Sequence, residues 1–292
     1  MPVQPELYLV KAFTQTPAGG NAAGVVLYAD SLAQHEKQRI AASLGLSETA
    51  FVSNSDIGDA KVEFFTPNRQ IPHCGHATVA TFGLLSQKGL VNGPAAVKES
   101  VEGPRNIELK EGKVYQAQLA PRYKALSETS VSVADVAASL GLESGQELLV
   151  EPVLAHTGVW FLLVQVRDEG VLRQLEPVQE MLARVSEALD LVGYYVFTTA
   201  TGAADATTRM FAPRYGIPEE SATGMAAGPL ACYLRDALQY NKTEFLIHQG
   251  YLMQPPSPSQ LEVYLTVDAN GSIAALKAGG PAVVVEQLAL PA

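Results

Sequence analysis

The sequence predicts an α+β fold of two pseudo-symmetric halves, each a rolled, mostly antiparallel sheet around a central helix. Three observations lead there. A motif repeats at half the chain length, short strand patterns outnumber helical ones, and each half holds one segment too apolar for a surface helix. The repeat is Phe65-Thr66-Pro67 then Ile71-Pro72, recurring as Phe211-Ala212-Pro213 then Ile217-Pro218. The offset, 211 − 65, is 146 in a chain of 292 residues. Such internal similarity is the first signal to seek, because it governs the whole fold assignment.

Strand candidates in the first half are Leu7–Phe13, Gly24–Tyr28, Thr49–Val52, Val62–Phe65, Asn106–Leu109 and Val114–Leu119. In the second half they are Leu148–Val153, Val159–Val166, Tyr195–Thr199, Thr207–Phe211, Phe245–His248, Leu261–Val267, Ser272–Ala278 and Ala282–Val285. A helical stretch ending near Leu44-Gly45 precedes the strand around Glu48–Ser53, and another ending near Leu189 precedes Tyr194–Thr199. Ala41–Leu46 recurs verbatim as Ala137–Leu142, with an offset of 96 that does not fit the repeat. Both copies read as helix ends stopped by a glycine, which tolerates the left-handed conformation. His76–Leu85 is apolar around its circumference, so as a helix it must be buried on all sides, with Gly89 as its stop. Its counterpart, Thr223–Leu234, contains Pro229, expected to kink it or delay its start. The lobes are placed at 1–120, joined by a C-terminal strand 281–292, and at 121–280.

Composition narrows the partners. Hydrophobic residues make up 47% and charged residues 17%, enough for packed cores. The net charge of −10, without a Lys/Arg cluster, excludes nucleic acid and acidic membrane surfaces as expected partners. The first residues lack a basic start followed by an apolar core, and the apolar run near Val159–Val166 is shorter than the roughly 20 residues of a membrane span. Two cysteines, Cys74 and Cys232, make no disulfide framework. A cytoplasmic location is expected.

The chemistry-bearing residues gather at the two apolar segments. Ile71–Thr78 and Glu220–Gly224 each place a loop at a helix start, where free N–H groups and the helix dipole attract anions. Gly75 and Gly224 suit a backbone that approaches a ligand closely. Ordinary helix starts would look the same. His76 reads either as a satisfied core histidine or as a group that holds or relays a proton. A metal held by His73, Cys74 and His76 is disfavoured, because three such near neighbours need a distant further ligand. Glu48, in Leu46–Val52, reads on its own as a solvated glutamate at a strand edge. If buried among apolar neighbours, its carboxyl would tend toward a raised pKa suited to proton transfer. The repeat offers no acid at the matching position, where Gly193 or Tyr194 falls.

Together these residues resemble the PhzF family, phenazine biosynthesis-like isomerases sharing the diaminopimelate epimerase fold. The likeness covers nearly the whole chain: Gly20-Asn21-Ala22-Ala23-Gly24, Ser47–Phe51, Phe65–Pro67, Cys74–Thr78, Thr157–Val159, Arg209–Pro213 and Gly216–Gly224. It implies two lobes with the active site between them, no metal or organic cofactor, and a homodimer. It also implies Glu48 as general acid/base and His76 opposite it, with Glu220 as a further catalytic carboxylate. Asn21, Cys74, Gly75, Ala77, Thr223, Gly224 and Met225 would bind a small carboxylate substrate. Ala22 stands where the family has proline. Glu220-Ser221 replaces the usual Asp-Pro, Met225 a small residue, and Met253-Gln254-Pro255 stands near the usual Gly-Arg pair. These departures point away from the phenazine precursor, dihydro-hydroxyanthranilate, as substrate.

Two other functions fit the residues. An amino-acid epimerase or racemase would use two opposed thiols, but Cys74 matches Glu220 across the repeat and Cys232 lies farther down the helix, as core. A non-catalytic ligand-binding member is the third, since function follows the site and not the fold.

Overall fold

The structure, a computed structural model, describes residues 3–143 and 145–291. Met1 and Ala292, which bound the expected lobes, lie outside the described residues. The chain begins with β1 (Glu6–Ala12), β2 (Asn21–Leu27), α1 (Gln34–Leu44), β3 (Thr49–Ser53), β4 (Ala60–Phe65), β5 (Gln70–Ile71) and α2 (Gly75–Gln87). Next come β6 (Ala95–Ser100), β7 (Gly103–Lys110), β8 (Lys113–Gln118), β9 (Arg122–Ala125), α3 (Val133–Ser139), β10 (Val153–His156) and β11 (Trp160–Gln165). Then follow α4 (Glu169–Gln174), α5 (Gln179–Ala188), β12 (Gly193–Thr198), β13 (Ala206–Ala212), β14 (Ile217–Glu220), α6 (Gly224–Asp236), β15 (Glu244–Gln249), β16 (Ser259–Val267) and β17 (Ile273–Leu288). The fold is thus mixed α and β, rich in strands and sparing in helices. No helix among the described residues is long and apolar enough to cross a membrane. Two compact units are present, Met1–Ala117 with Gly279–Ala292, and Gln118–Ala278.

In the first unit the strand pairing closes on itself. β1 pairs with β2, β2 with β3, β3 with β4, β4 with β6, β6 with β7 and β7 with β8. β8 then pairs with β17, and β17 with β1. A closed barrel leaves no unpaired edge. Helix α2 is buried from His76 through Leu85 and packs on β1, β2 and β3. It also reaches other staves: Lys98 of β6 donates to Thr78, Gln116 of β8 to the Gly75 carbonyl, and Gln87 to the Ala282 carbonyl of β17. An apolar segment of this kind is stable only where walls meet it on every face. Small residues make the fit: a Cβ on Gly83 would lie 2.5 Å from the Ala282 Cβ.

In the second unit the pairing runs from β9 through β10, β11, β12, β13, β15 and β16, parallel at β11–β12 and β13–β15 and antiparallel elsewhere. Leu126, Val136, Leu172, Leu182, Tyr194 and Phe211 share one core cluster in this unit. Arg209 of β13 grips both Glu219 oxygens at 2.8 Å and donates to the Leu172 and Leu175 carbonyls. That bidentate pairing with added carbonyl acceptors is what a buried guanidinium requires.

Several sequence expectations are corrected. The strand placed at Leu148–Val153 begins instead at Val153, with only Leu148 bridged to Val166, because Pro152 has no N–H to give a ladder. Ser272–Ala278 and Ala282–Val285 form one continuous strand, β17, despite Gly279-Gly280-Pro281. Gly279 serves close approach, not a turn: a Cβ there would sit 1.9 Å from the Val114 carbonyl oxygen. Pro229 does not delay α6, which starts at Gly224 and continues to Asp236. The residue before it, Gly228, has no Cβ to clash with the proline ring. Gly45 and Gly141 both adopt positive φ, as glycine-stopped helix ends should.

Replacing Gly279 with alanine forces a backbone shift in β8 or β17. It should cost about 3 kcal/mol or more, whereas Gly202→Ala, where nothing lies within 4 Å, should stay within about 0.5 kcal/mol. Urea unfolding of both variants beside wild type reads the difference; equal stabilities would contradict the close β8–β17 contact.

Candidate active site

The polar cluster of the first unit is assembled by two chain reversals. Helix α1 ends at Leu44, Gly45 turns the chain at φ 63°, and Leu46-Ser47-Glu48 leads into β3. β3 runs parallel to β2, and the Gly24 N–H donates to the Glu48 carbonyl at 3.3 Å. A Cβ on Gly24 would come within 3.1 Å of the Thr49 side chain, so glycine permits this spacing. The second reversal follows β5, where Cys74 stays extended and α2 begins at Gly75. Thr78 secures the turn, its N–H and hydroxyl both donating to the Cys74 carbonyl.

These reversals bring Glu48 and His76 together. Glu48 is 9% exposed and His76 7%, so the glutamate is not the solvated strand-edge residue its sequence neighbourhood suggested. Glu48 Oε2 lies 3.3 Å from His76 Nε2, near enough for an ion pair. The approach lacks hydrogen-bond geometry, and both atoms are buried without a hydrogen-bond partner among the described residues. On the other edge of the ring, His76 Nδ1 lies 3.5 Å from Cys74 Sγ. One imidazole therefore stands between a carboxylate and a thiol. Such a group can hold a proton on one nitrogen while the other accepts.

The other expected residues are distributed as follows. Asn21 opens β2 and is buried; Gly75 and Ala77 lie in the first turn of α2. Glu220, Thr223, Gly224 and Met225 belong to the second unit, at the end of β14 and the start of α6. Gln249 ties that segment together: its amide nitrogen donates to the Glu220 carbonyl and the Thr223 hydroxyl, and its oxygen accepts from the Thr223 N–H and the Tyr195 hydroxyl. Gln118 does the same one residue on, donating to the Gly224 carbonyl and accepting from the Thr157 hydroxyl. The Met225 methyl lies 3.2 Å from where a Cβ on Gly158 would be.

Three organising residues went unread in the sequence: Gln118, Gln249 and Lys98. Lys98 was hidden because Ala95–Ser100 lacks a strand pattern. It is fully buried, with Nζ 3.2 Å from the Thr78 hydroxyl, 3.3 Å from His73 Nδ1 and over the Phe64 ring. Burial drives its pKa down to about 8, partly offset by the charges of Cys74 and Glu102. Burial, with Lys98 and Arg105 nearby, drives His73 down to about 3, so its neutral ring accepts from the ammonium. His73, which the sequence grouped with Cys74 and His76, thus serves Lys98 instead.

Comparison with known proteins addresses the chain as a whole. A family model described as phenazine biosynthesis-like protein matches residues 10–287. A Deinococcus radiodurans protein named as an uncharacterized isomerase is 34% identical over 287 residues, covering 94% of this chain and 91% of its own. The trans-2,3-dihydro-3-hydroxyanthranilate isomerase of Pseudomonas aeruginosa is 30% identical over 232 residues, covering 77% and 78%. The crystal structure of a Bacillus anthracis phenazine biosynthesis protein of the PhzF family matches with TM-score 0.87 and 27% identity, over 98% of this chain and 99% of that one. A hydroxyproline epimerase from Agrobacterium vitis matches with TM-score 0.59 at 13% identity, over 97% and 91%, a likeness of fold.

Lys98 also makes a pH-dependent contribution. Unfolded, it keeps its proton until near pH 10.5; folded, it releases it near pH 8. Between those values the unfolded chain binds more protons, so unfolding free energy rises with pH. The rise is on the order of 3 kcal/mol. Comparing urea midpoints of wild type and Lys98→Met across pH 8 to 10.5 should show the rise only in wild type; parallel profiles would remove Lys98 as its source.

Proposed function

Because this chain belongs to the phenazine biosynthesis-like (PhzF) family, whose relatives bear the name isomerase, we propose that it shifts a proton on a small carboxylate substrate with Glu48 as general acid/base. The carrying observation is the buried 3.3 Å approach of Glu48 to His76. Glu48 as carboxylate takes a proton from a substrate carbon, and the electron pair left behind delocalises into the substrate's conjugated carboxylate. Glu48 as carboxylic acid then returns a proton to a different carbon. No net oxidation occurs and no organic cofactor is called on. His76 holds the substrate or steadies the changing charge on Glu48, and burial strengthens each of these interactions.

Substrate contacts are assigned to Asn21, Cys74, Gly75 and Ala77 of the first unit, and to Thr223, Gly224 and Met225 of the second. Glu220 is a further charged group acting on the substrate. The reading treats the two units as variants of one helix-centred design, and the working enzyme as a homodimer. The repeat supports the first part, as do α2 and α6, each 13 residues long and each starting at a glycine. A specific observation favours one variant of the chemistry. Cys74 faces the far side of the His76 ring, so the thiol is a candidate second proton carrier for an epimerase-type exchange.

Glu48→Gln keeps the shape and removes the base. It should lower turnover by at least ~100-fold while leaving far-UV circular dichroism unchanged. Candidate carboxylates screened in deuterium oxide supply the assay, with label appearing at the receiving carbon. Full activity in Glu48→Gln would refute the assignment. Label appearing only at the original carbon, and lost in Cys74→Ser, would favour the epimerase variant.

A further inference from the structure

We propose that Glu48, Cys74 and His76 also form a binding site for a thiophilic divalent cation of the zinc class, which would occupy the groups needed for proton transfer. One oxygen, one nitrogen and one sulfur from these three residues lie within 4.8 Å of one another, all on buried side chains. Two of the donors, Glu48 Oε2 and His76 Nε2, are buried and lack hydrogen-bond partners among the described residues. A buried carboxylate oxygen and imidazole nitrogen left in this state favour anything that brings positive charge between them.

Zinc accepts this mixture of carboxylate, imidazole and thiolate, and where three protein ligands hold it a fourth position stays open. Its bond lengths place neighbouring ligands roughly 3.3–3.8 Å apart. The Glu48–His76 and Cys74–His76 approaches, 3.3 and 3.5 Å, are of that size. They involve opposite nitrogens of the ring, so enclosing one ion requires the side chains to draw in from the 4.8 Å within which the three donor atoms now lie. Binding releases the Cys74 proton. The buried Lys98 ammonium repels an incoming cation, but thiolate and carboxylate together set two negative charges against it. The sequence set aside a metal on His73, Cys74 and His76 for want of a distant ligand. Glu48, 26 positions before Cys74, is that ligand, while His73 is turned to Lys98.

Binding is read without turnover, so it stands apart from the isomerase reading; only the inhibitory consequence rests on it. The full chain, stripped of metal, is titrated with Co2+ and then Zn2+. One equivalent of Co2+ should bind with a near-ultraviolet thiolate-to-cobalt band, displaced by Zn2+. Cys74→Ser should lose the band, and both it and Glu48→Gln should weaken binding at least ~10-fold with circular dichroism unchanged. Cys232→Ser should leave binding intact. Absence of a saturable band, or wild-type affinity in Cys74→Ser and Glu48→Gln, would overturn the site. Cobalt binding together with full turnover in Glu48→Gln would sink the acid/base reading and leave the site standing.

Discussion

The enclosure of one apolar helix is the constraint on which the first unit depends. α2 has no polar face, so it survives only with strands on all sides, and the closed circuit of pairing supplies them. Enclosure has a chemical side effect. The helix must begin somewhere, and its first turn carries the free N–H groups that every helix start leaves. Here that start, Cys74-Gly75-His76, falls beside the end of the α1–β3 connection bearing Glu48. Packing that serves stability thereby holds a carboxylate, an imidazole and a thiol away from bulk water, where electrostatic interactions are strongest.

Buried polar side chains then act as clamps. Lys98 and Gln116 reach into the first turn of α2, and Gln249 and Gln118 bracket the start of α6. Each makes hydrogen bonds to more than one group or to a backbone carbonyl, which offsets the cost of leaving water. Lys98 is the most exacting of these, an ammonium with no exposure whose acceptors are a hydroxyl, a neutral imidazole and an aromatic face. The site's order thus rests on residues that take no part in the proposed proton transfer.

Legibility of these features in the sequence followed physical kind. Strands with alternating or β-branched patterns, such as β1, β12 and β16, were readable, and so was the all-apolar α2. β6 was not, because Ala-Ala-Val-Lys-Glu-Ser has weak strand propensity and its lysine looks like a solvent residue. Gly279-Gly280-Pro281 read as a break because a turn and a close backbone approach use the same residues; only the neighbouring strand tells them apart. Pro229 misled similarly, since the relief at Gly228 is a matter of missing atoms. Glu48 could be flagged by motif, but its burial depends on a parallel pairing with β2 that no local pattern encodes. The proximity of Cys74 to His76 followed from spacing, whereas the joining of Glu48 to them is purely tertiary.

The strand β17 starts in one unit and finishes in the other, and its last portion is a stave of the first unit's barrel. On a ribosome, which emits the chain from its beginning, residues 1–117 emerge long before that stave exists. The early segment must wait, with one gap in its wall and α2 exposed through it, until the whole second unit has been synthesised. Closure of the barrel around α2 is therefore among the last events of biogenesis, and a nascent chain stalled anywhere before Gly279 holds the apolar helix but not the stave that completes its enclosure.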